Sequence, residues 1–295
     1  MNIYKYLLIS FFLILIIDIQ AQEKFGMEDI FSLQYANDIQ ISPDGKQIVY
    51  RKMGYDIMSD KNVGNLWILN TDGSNHQKLT IKDSNEYSPR WSPNGDRIAF
   101  VSQGKDGSEI FMYWTQTAKM ARMTQLAESP SSITWSRDGL QLAFSMFVPE
   151  PPPVIATIPK SPKGAKWAKK PRITDRLKHE SDGSGYIPTG FSHLFIMPSS
   201  GGLVQQVTSG NFHHRGAISW SNNNKSIYFS ANRKPDWEYD FRNSEVYKIS
   251  LKDGQITSLT ERDGPDYAPA VSPNGKMIAF LGYDVMQAAF QNRML

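Results

Sequence analysis

Along most of the chain, apolar side chains alternate with polar ones in runs of four to eight residues, as in Ile98 and Phe100 of "DRIAF". That period of two predicts strands with at least one face buried. The runs are separated by tight-turn chemistry, and one turn phrase recurs five times: "ISPDGKQIVY" from Ile41, "WSPNGDRIAF" from Trp91, "WSRDGLQLAF" from Trp135, "WSNNNKSIYF" from Trp220 and "VSPNGKMIAF" from Val271. Its serines stand at 42, 92, 136, 221 and 272, spaced by 50, 44, 85 and 51 residues. Pro fixes φ near −65° at the start of the turn, and Asp-Gly or Asn-Gly supplies the positive φ needed to reverse the chain. Each copy therefore reads as strand, turn, strand.

A second hairpin follows each of the first four copies: "NLWILNTDGSNHQKLT" from Asn65, "EIFMYWTQTAKMARMT" from Glu109, "HLFIMPSSGGLVQQVT" from His193 and "EVYKISLKDGQITSLT" from Glu245. Two hairpins in series make a four-stranded antiparallel sheet, and sheets repeating at this period predict the blades of a β-propeller. The aromatic that opens three of the phrases is expected to wedge between neighbouring blades. The expected architecture is all-β, with four complete blades and a fifth of which only the first hairpin is present, so that the sequence reads as an open portion of a longer ring.

The long interval has a compositional cause. Residues 149–190 open with "PEPPPV", end in a Gly-Ser-rich stretch and carry no repeat, which predicts an insertion in the third blade. Before the first strand, residues 22–36 are expected to form a short amphipathic lead-in helix. Residues 1–21 combine Lys5 with an apolar run from Leu7 to Ile17 closed by Asp18. At about a dozen residues the run is shorter than the ~20 of a spanning helix, and it reads as a secretory signal peptide. The mature protein is thus expected to be exported, periplasmic or secreted, with membrane contact only through that leader.

Charge and composition then narrow the chemistry. There is no cysteine, which removes disulfides, thiol catalysis and thiolate metal sites. The net charge of +3 conceals a segment from Lys160 to Lys178 that carries eight cations against Asp175 alone. A basic run of this kind suits nucleic acid or an anionic surface, but it holds a single aromatic, Trp167, and is expected to be a solvated loop without nucleic-acid binding. Asp72-Gly73 and Asp253-Gly254 lie in hairpin turns without the ligand series of a calcium loop, and His213-His214 lacks partners at metal spacing, so neither a metal nor a cofactor is expected. Asp236, Glu238 and Asp240 in "DWEYD" are the candidate substrate-binding residues, because clustered carboxylates on a propeller loop suit a substrate's α-amino group; the alternative is a structural loop.

The turn phrase, the stretch "PKGAKW…ITDRL…DGSGYIPTGFSHLFIMPSSGG" from Pro162 to Gly202 and "NRKPDWEYDFRNSEVY" from Asn232 resemble the N-terminal propeller of prolyl oligopeptidase family serine peptidases, of the bacterial acylaminoacyl and dipeptidyl peptidase type. The resemblance implies an α/β-hydrolase domain after the propeller, holding a Ser-Asp-His triad and acting on short peptides. No Gly-x-Ser-x-Gly elbow occurs in these 295 residues, so no catalytic residue is assigned and the triad would lie on a missing domain. None of the five histidines is tied to a triad role. Dipeptidyl peptidases follow an Asp-Trp-x-Tyr lead-in with paired acids; here the pair position reads Asp240-Phe241, so Glu238 or Glu245 would have to stand in for the second acid. TolB-type propellers share the turn phrase, which keeps open a non-catalytic protein that binds protein partners. An open ring is also a candidate for self-association.

Overall fold

The computed structural model describes residues 24–80, 84–105, 107–157, 159–168, 171–285 and 294. The signal-peptide reading of residues 1–21 lies outside them. Within them no helix is long and apolar enough to cross a membrane.

Four antiparallel four-stranded sheets follow one another along the chain. The first holds β1 (Tyr35–Ile41), β2 (Gln47–Asp56), β3 (Lys61–Asn70) and β4 (Gln77–Lys78) in that spatial order. The second repeats it with β5 (Glu86–Trp91), β6 (Arg97–Gly104), β7 (Gly107–Trp114) and β8 (Lys119–Arg122). In the third, β9 (Pro130–Trp135) and β10 (Gln141–Pro149) are separated from the rest by the insertion, which carries its own small hairpin, β11 (Glu180–Ser181) and β12 (Gly185–Tyr186); β13 (Gly190–Pro198) and β14 (Gln205–Gln206) complete the sheet. The fourth contains β15 (Ser219–Trp220), β16 (Ser226–Ala231), β17 (Glu245–Ser250) and β18 (Ile256–Ser258), and a fifth sheet holds only β19 (Asp266–Val271) and β20 (Ile278–Gly282). The expected four-stranded blades are therefore present, and residues 150–189 separate β10 from β13 in the third.

The lead-in differs from expectation. Residues 22–36 were expected to be an amphipathic helix, but the chain makes one short 3₁₀ segment, Met27–Ser32, with no buried residue, and β1 already begins at Tyr35. Phe31 is half-buried, but Phe25 and Met27 stay largely exposed, so among the described residues no surface covers the continuous apolar stripe that would hold a longer helix.

Why the turn phrase repeats is visible in its hydrogen bonds. In the third blade Ser136 Oγ donates to Asp138 Oδ1 at 2.6 Å and accepts from the Gln141 amide at 2.9 Å, while the Ser136 amide donates to the Gln141 carbonyl. Ser42, Ser221 and Ser272 repeat this with Asp44, Asn223 and Asn274 two residues on, and Ser92 uses Asp96 instead. The fourth turn residue sits at φ 72, 73, 71, 58 and 70° in the five copies; it is glycine in four and Asn224 in the fourth blade. Asparagine is the non-glycine residue that best tolerates this region, which explains how "SNNNK" makes the same turn as "SPDGK".

Both faces of a middle strand are buried. In β10, Leu142 and Phe144 pack with Ala99, Val101, Ile110 and Met112 of the second blade, whereas Ala143 between them joins Ile218, Trp220, Ile227 and Phe229 of the fourth. The phrase-opening indoles tie blades together: Trp91 Nε1 donates to the Gln40 carbonyl at 3.3 Å and Trp135 Nε1 to the Arg90 carbonyl at 2.9 Å, each reaching back to the preceding blade's first strand. Replacing Ser136, which is fully buried, by alanine leaves the Gln141 amide without its side-chain acceptor. Ser136→Ala is expected to lower the urea-unfolding free energy by about 1–3 kcal/mol, whereas Ala at the exposed Leu140 of the same turn should change it far less.

Candidate functional site

The connections between second and third strands gather at the end of the propeller opposite the Ser-turns, because each strand carries the chain from one end to the other. In the third blade this connection is the insertion, residues 150–189; in the fourth it is the turn of residues 232–244, which includes "DWEYD". The link from β14 to β15, residues 207–218, runs to the same end.

Phe191, at the base of β13, is where these segments meet. Its ring lies 5.2 Å from that of His213 and 6.1 Å, edge on, from that of Trp237. From the insertion, the Arg176 guanidinium stands 4.2 Å over the same ring, donates to the Gly190 carbonyl at 3.1 Å and pairs with Glu150 at 3.6 Å. Gly190 roots the insertion at φ 140°, where a Cβ would fall 2.3 Å from the Val148 carbonyl oxygen, so only glycine fits.

Beneath this junction lies a histidine pair. In the second and fourth blades a glutamate in the third strand, Glu109 in β7 and Glu245 at the start of β17, clasps the blade's outer edge. Thr124 Oγ1 accepts from the Ile110 amide and donates to Glu109 at 2.6 Å; Thr260 does the same between Val246 and Glu245. In the third blade Thr208 still accepts from the Leu194 amide, but the glutamate position is His193. Its Nδ1 lies 3.2 Å from Nδ1 of His214, whose Nε2 lies 2.5 Å from Nη1 of Arg233. Arg233 carries N–H donors and no lone pair with which to accept, so His214 Nε2 accepts, His214 Nδ1–H donates onward, and His193 receives the bond at Nδ1. That arrangement requires both rings neutral. Burial, reinforced by the Arg233 charge, pushes His214 down to about 3. Burial, with the Arg215 and Arg176 charges, pushes His213 down to about 4. His193 is lowered for the same reasons, burial first and then Arg233.

The sequence-predicted acids occupy the turn that follows Arg233. Asp236 is exposed, and Glu238 and Asp240 are half-buried. The turn is held by its own backbone, with Tyr239 and Asp240 amides donating to the Asp236 carbonyl and Asn232 Nδ2 donating to the Asp240 carbonyl. Asp240 faces Lys234 Nζ at 3.8 Å. Glu245, the other candidate for a second acid, is engaged by Thr260 and sits 5% exposed in the blade edge, where no substrate amine reaches it. What sequence reasoning missed is the convergence of His193, His213 and His214. The available signal was the repeat itself: at the position of Glu109 and Glu245 the first blade carries Asn65 and the third carries His193, the one titratable base in the series.

Residues 163–284 match the family described as the dipeptidyl peptidase IV N-terminal region, a span that includes much of the insertion, the whole fourth blade and the fifth sheet. The chain is 27% identical over 271 residues to dipeptidyl-peptidase 5 of Porphyromonas gingivalis, covering 87% of this chain and 38% of that protein. Against the uncharacterised peptidase YuxL of Bacillus subtilis it is 25% identical, covering 70% of this chain and 31% of the relative. Among solved structures, the acylaminoacyl peptidase of Pyrococcus horikoshii superposes with a TM-score of 0.60 at 17% identity, over 86% of this chain and 36% of that one, which is a likeness of fold. The chain thus spans well under half the length of the peptidases it matches.

The buried neutral histidines make stability pH-dependent in a defined direction. The folded-state values of His213 and His214 lie below the ordinary value of 6.5, so the stabilisation is fully present above pH ~6.5. It is lost as pH falls from there toward 4 and then 3, where the unfolded chain takes up protons that the folded one refuses. Thermal melting is expected to hold steady from pH 8 to 7 and to drop steadily between pH 6.5 and 4. His214→Gln, which keeps an acceptor for Arg233 but cannot titrate, should lower the melting temperature at pH 7.5 and flatten part of the acid slope. By sequence match, insertion and blade architecture together, the chain is similar to the propeller region of dipeptidyl and acylaminoacyl peptidases.

Proposed function

We propose that this chain is the propeller portion of an exported serine peptidase that hydrolyses short peptides, of the acylaminoacyl or dipeptidyl peptidase type, and that it screens access to a catalytic α/β-hydrolase domain outside these 295 residues. The observation that carries this reading is where the family match falls. It runs from residue 163 to 284, through the insertion and the "DWEYD" turn, the two segments that set this propeller's end apart from a plain repeat. Proximity and orientation of a nucleophile, base and acid cannot come from the propeller alone, so its part is selection and positioning of the peptide. Asp236 and Glu238 are free of ion pairs among the described residues and are the acids best placed to receive a peptide's amino group, while Asp240 shares its charge with Lys234.

A second reading, a TolB-like propeller that binds protein partners without chemistry, is favoured by 35% identity to the Tol-Pal system protein TolB of Alcanivorax borkumensis. That similarity covers 80 residues and 25% of this chain, the extent of the shared repeats, against 87% for the peptidase relative.

The purified chain is expected to show no hydrolysis of dipeptidyl or acylaminoacyl reporter substrates. The coding sequence beyond codon 295 should continue into a Gly-x-Ser-x-Gly motif, and the longer product should lose activity with a serine-directed inhibitor. A frame without that motif, or inhibitor-sensitive hydrolysis by the 295 residues alone, would contradict the reading. In the longer protein, Asp236→Asn with Glu238→Gln should reduce kcat/KM about 10- to 100-fold for substrates with a free amino terminus and leave N-acylated substrates nearly unchanged.

A further inference from the structure

Arg233 is a cation without a counter-ion. Arg90, Arg97, Arg176 and Arg262 each pair with a carboxylate, whereas Arg233 and Arg51, both half-buried, have none among the described residues; Arg51 spends its Nη2 on the Asn85 side chain and has its Nε sealed in the core, and Arg233 does neither. Its environment is otherwise built with care. Nη1 lies on His214 Nε2 at 2.5 Å, and the guanidinium stands 5.0 Å from the Phe212 ring centroid and 5.8 Å from that of Tyr247. The half-buried side chain has lost enough hydration for burial to lower its pKa. Removing a charge from water without an anion is costly, and a position serving only packing would be filled better by an apolar residue.

The support beneath it is specific. A neutral imidazole fixes one edge of the fork, and the His193 ring fixes that imidazole in turn, so the guanidinium is held before any ligand arrives. Nε and Nη2 have no acceptor, and they are not among the sealed, unpartnered atoms of the described core, unlike Nε of Arg51 or Arg262. A pre-positioned, half-exposed fork with free N–H groups is the geometry that receives a planar oxyanion in two parallel hydrogen bonds. Within seven residues on the same turn stand Asp236, Glu238 and Asp240. Those acids oppose a dianion such as phosphate and favour a ligand whose anionic group is accompanied by a cationic one.

We propose that Arg233 is the anion-recognition residue of this end of the propeller and that it receives the carboxylate of a short zwitterionic peptide, with His214 and His193 as the residues that position it. The assignment rests on the peptide-binding reading above and adds the group that would read the peptide's negative end. It makes a free carboxylate, rather than the amino group alone, a determinant of which peptides are retained.

Titration calorimetry of the purified chain at pH 7.5 tests this, with Gly-Phe dipeptide, its C-terminal amide and sodium phosphate as probes. The dipeptide is expected to bind about tenfold or more tightly than the amide and than phosphate. Arg233→Met should erase the difference between dipeptide and amide, and Arg233→Lys should retain only part of it. His214→Ala should reduce the discrimination although Arg233 is still present, an effect that a role in stability alone would not produce in a variant whose near-ultraviolet circular dichroism is unchanged. Equal affinity for dipeptide and amide, tighter binding of phosphate, no binding of the dipeptide at millimolar concentration, or discrimination that survives in Arg233→Met or is untouched in Arg233→Lys would each overturn the assignment. The binding readout needs no catalysis. Failure here with hydrolysis intact in a longer protein would remove Arg233's role and leave the peptidase reading, and carboxylate selectivity in a protein that hydrolyses nothing would do the reverse.

Discussion

A four-stranded sheet whose middle strands are apolar on both faces cannot be stable alone; it must be covered on each side by another sheet. This constraint orders nearly everything in the chain. Ile98, Ala99, Phe100 and Val101 are four consecutive residues with no exposed surface, a pattern that a sheet with one solvated face would not tolerate. The solution is to stack near-copies, so each blade both buries and is buried. The indoles of Trp91 and Trp135 reinforce the stack by donating across the gap to the first strand of the preceding blade, which joins burial of a large ring to satisfaction of its one polar atom.

Stacking of near-copies is also why so much of the fold could be read directly. The Ser-turn is a local device: the serine, the acid or amide two residues on and the positive-φ residue lie within six positions, so its chemistry stands complete in each copy. Even the irregular "WSNNNK" kept the signal, because Asn224 meets the same backbone requirement as glycine. The lead-in was misjudged for the complementary reason. Its apolar residues have helical spacing, but a helix of that length needs a partner surface, and sequence periodicity does not reveal that Phe25 and Met27 have none.

The candidate site was less legible because it is assembled by contacts across the chain. His193 and His214 are 21 residues apart and belong to a strand and to the link into the next blade; nothing in their spacing resembles a catalytic or metal motif. The acidic turn, by contrast, was visible as a cluster of charge, yet the sequence could not say that Asp240 would face Lys234 or that Glu245 would be taken up by a blade-edge clasp. What the repeat does offer is a reference. Where four blades solve the same structural problem, a departure from the shared solution is informative in a way that a single domain's irregularities are not.

The clasp shows how that comparison works. Its job, in the second and fourth blades, is to satisfy a strand-end amide and bind the outer edge through Thr and Glu; in the first blade, which has Asn65 at the glutamate position, Thr80 is met by Glu86 from β5 of the second blade, which also accepts from the Leu66 amide. The third blade keeps the threonine and its amide, so edge closure there does not require a glutamate. Placing histidine at that position therefore answers a different demand. A glutamate there would place a buried carboxylate against His214, the ring that contacts Arg233, and favour a charged imidazolium that could no longer accept from the guanidinium. A neutral imidazole relay instead supports the guanidinium without cancelling its charge, which leaves a full positive charge on the side of the propeller where the insertion and the acidic turn meet. The third blade's departure from glutamate is thus the one that supports Arg233 through His214, and the acid sensitivity of the buried imidazoles is the physical cost of that support.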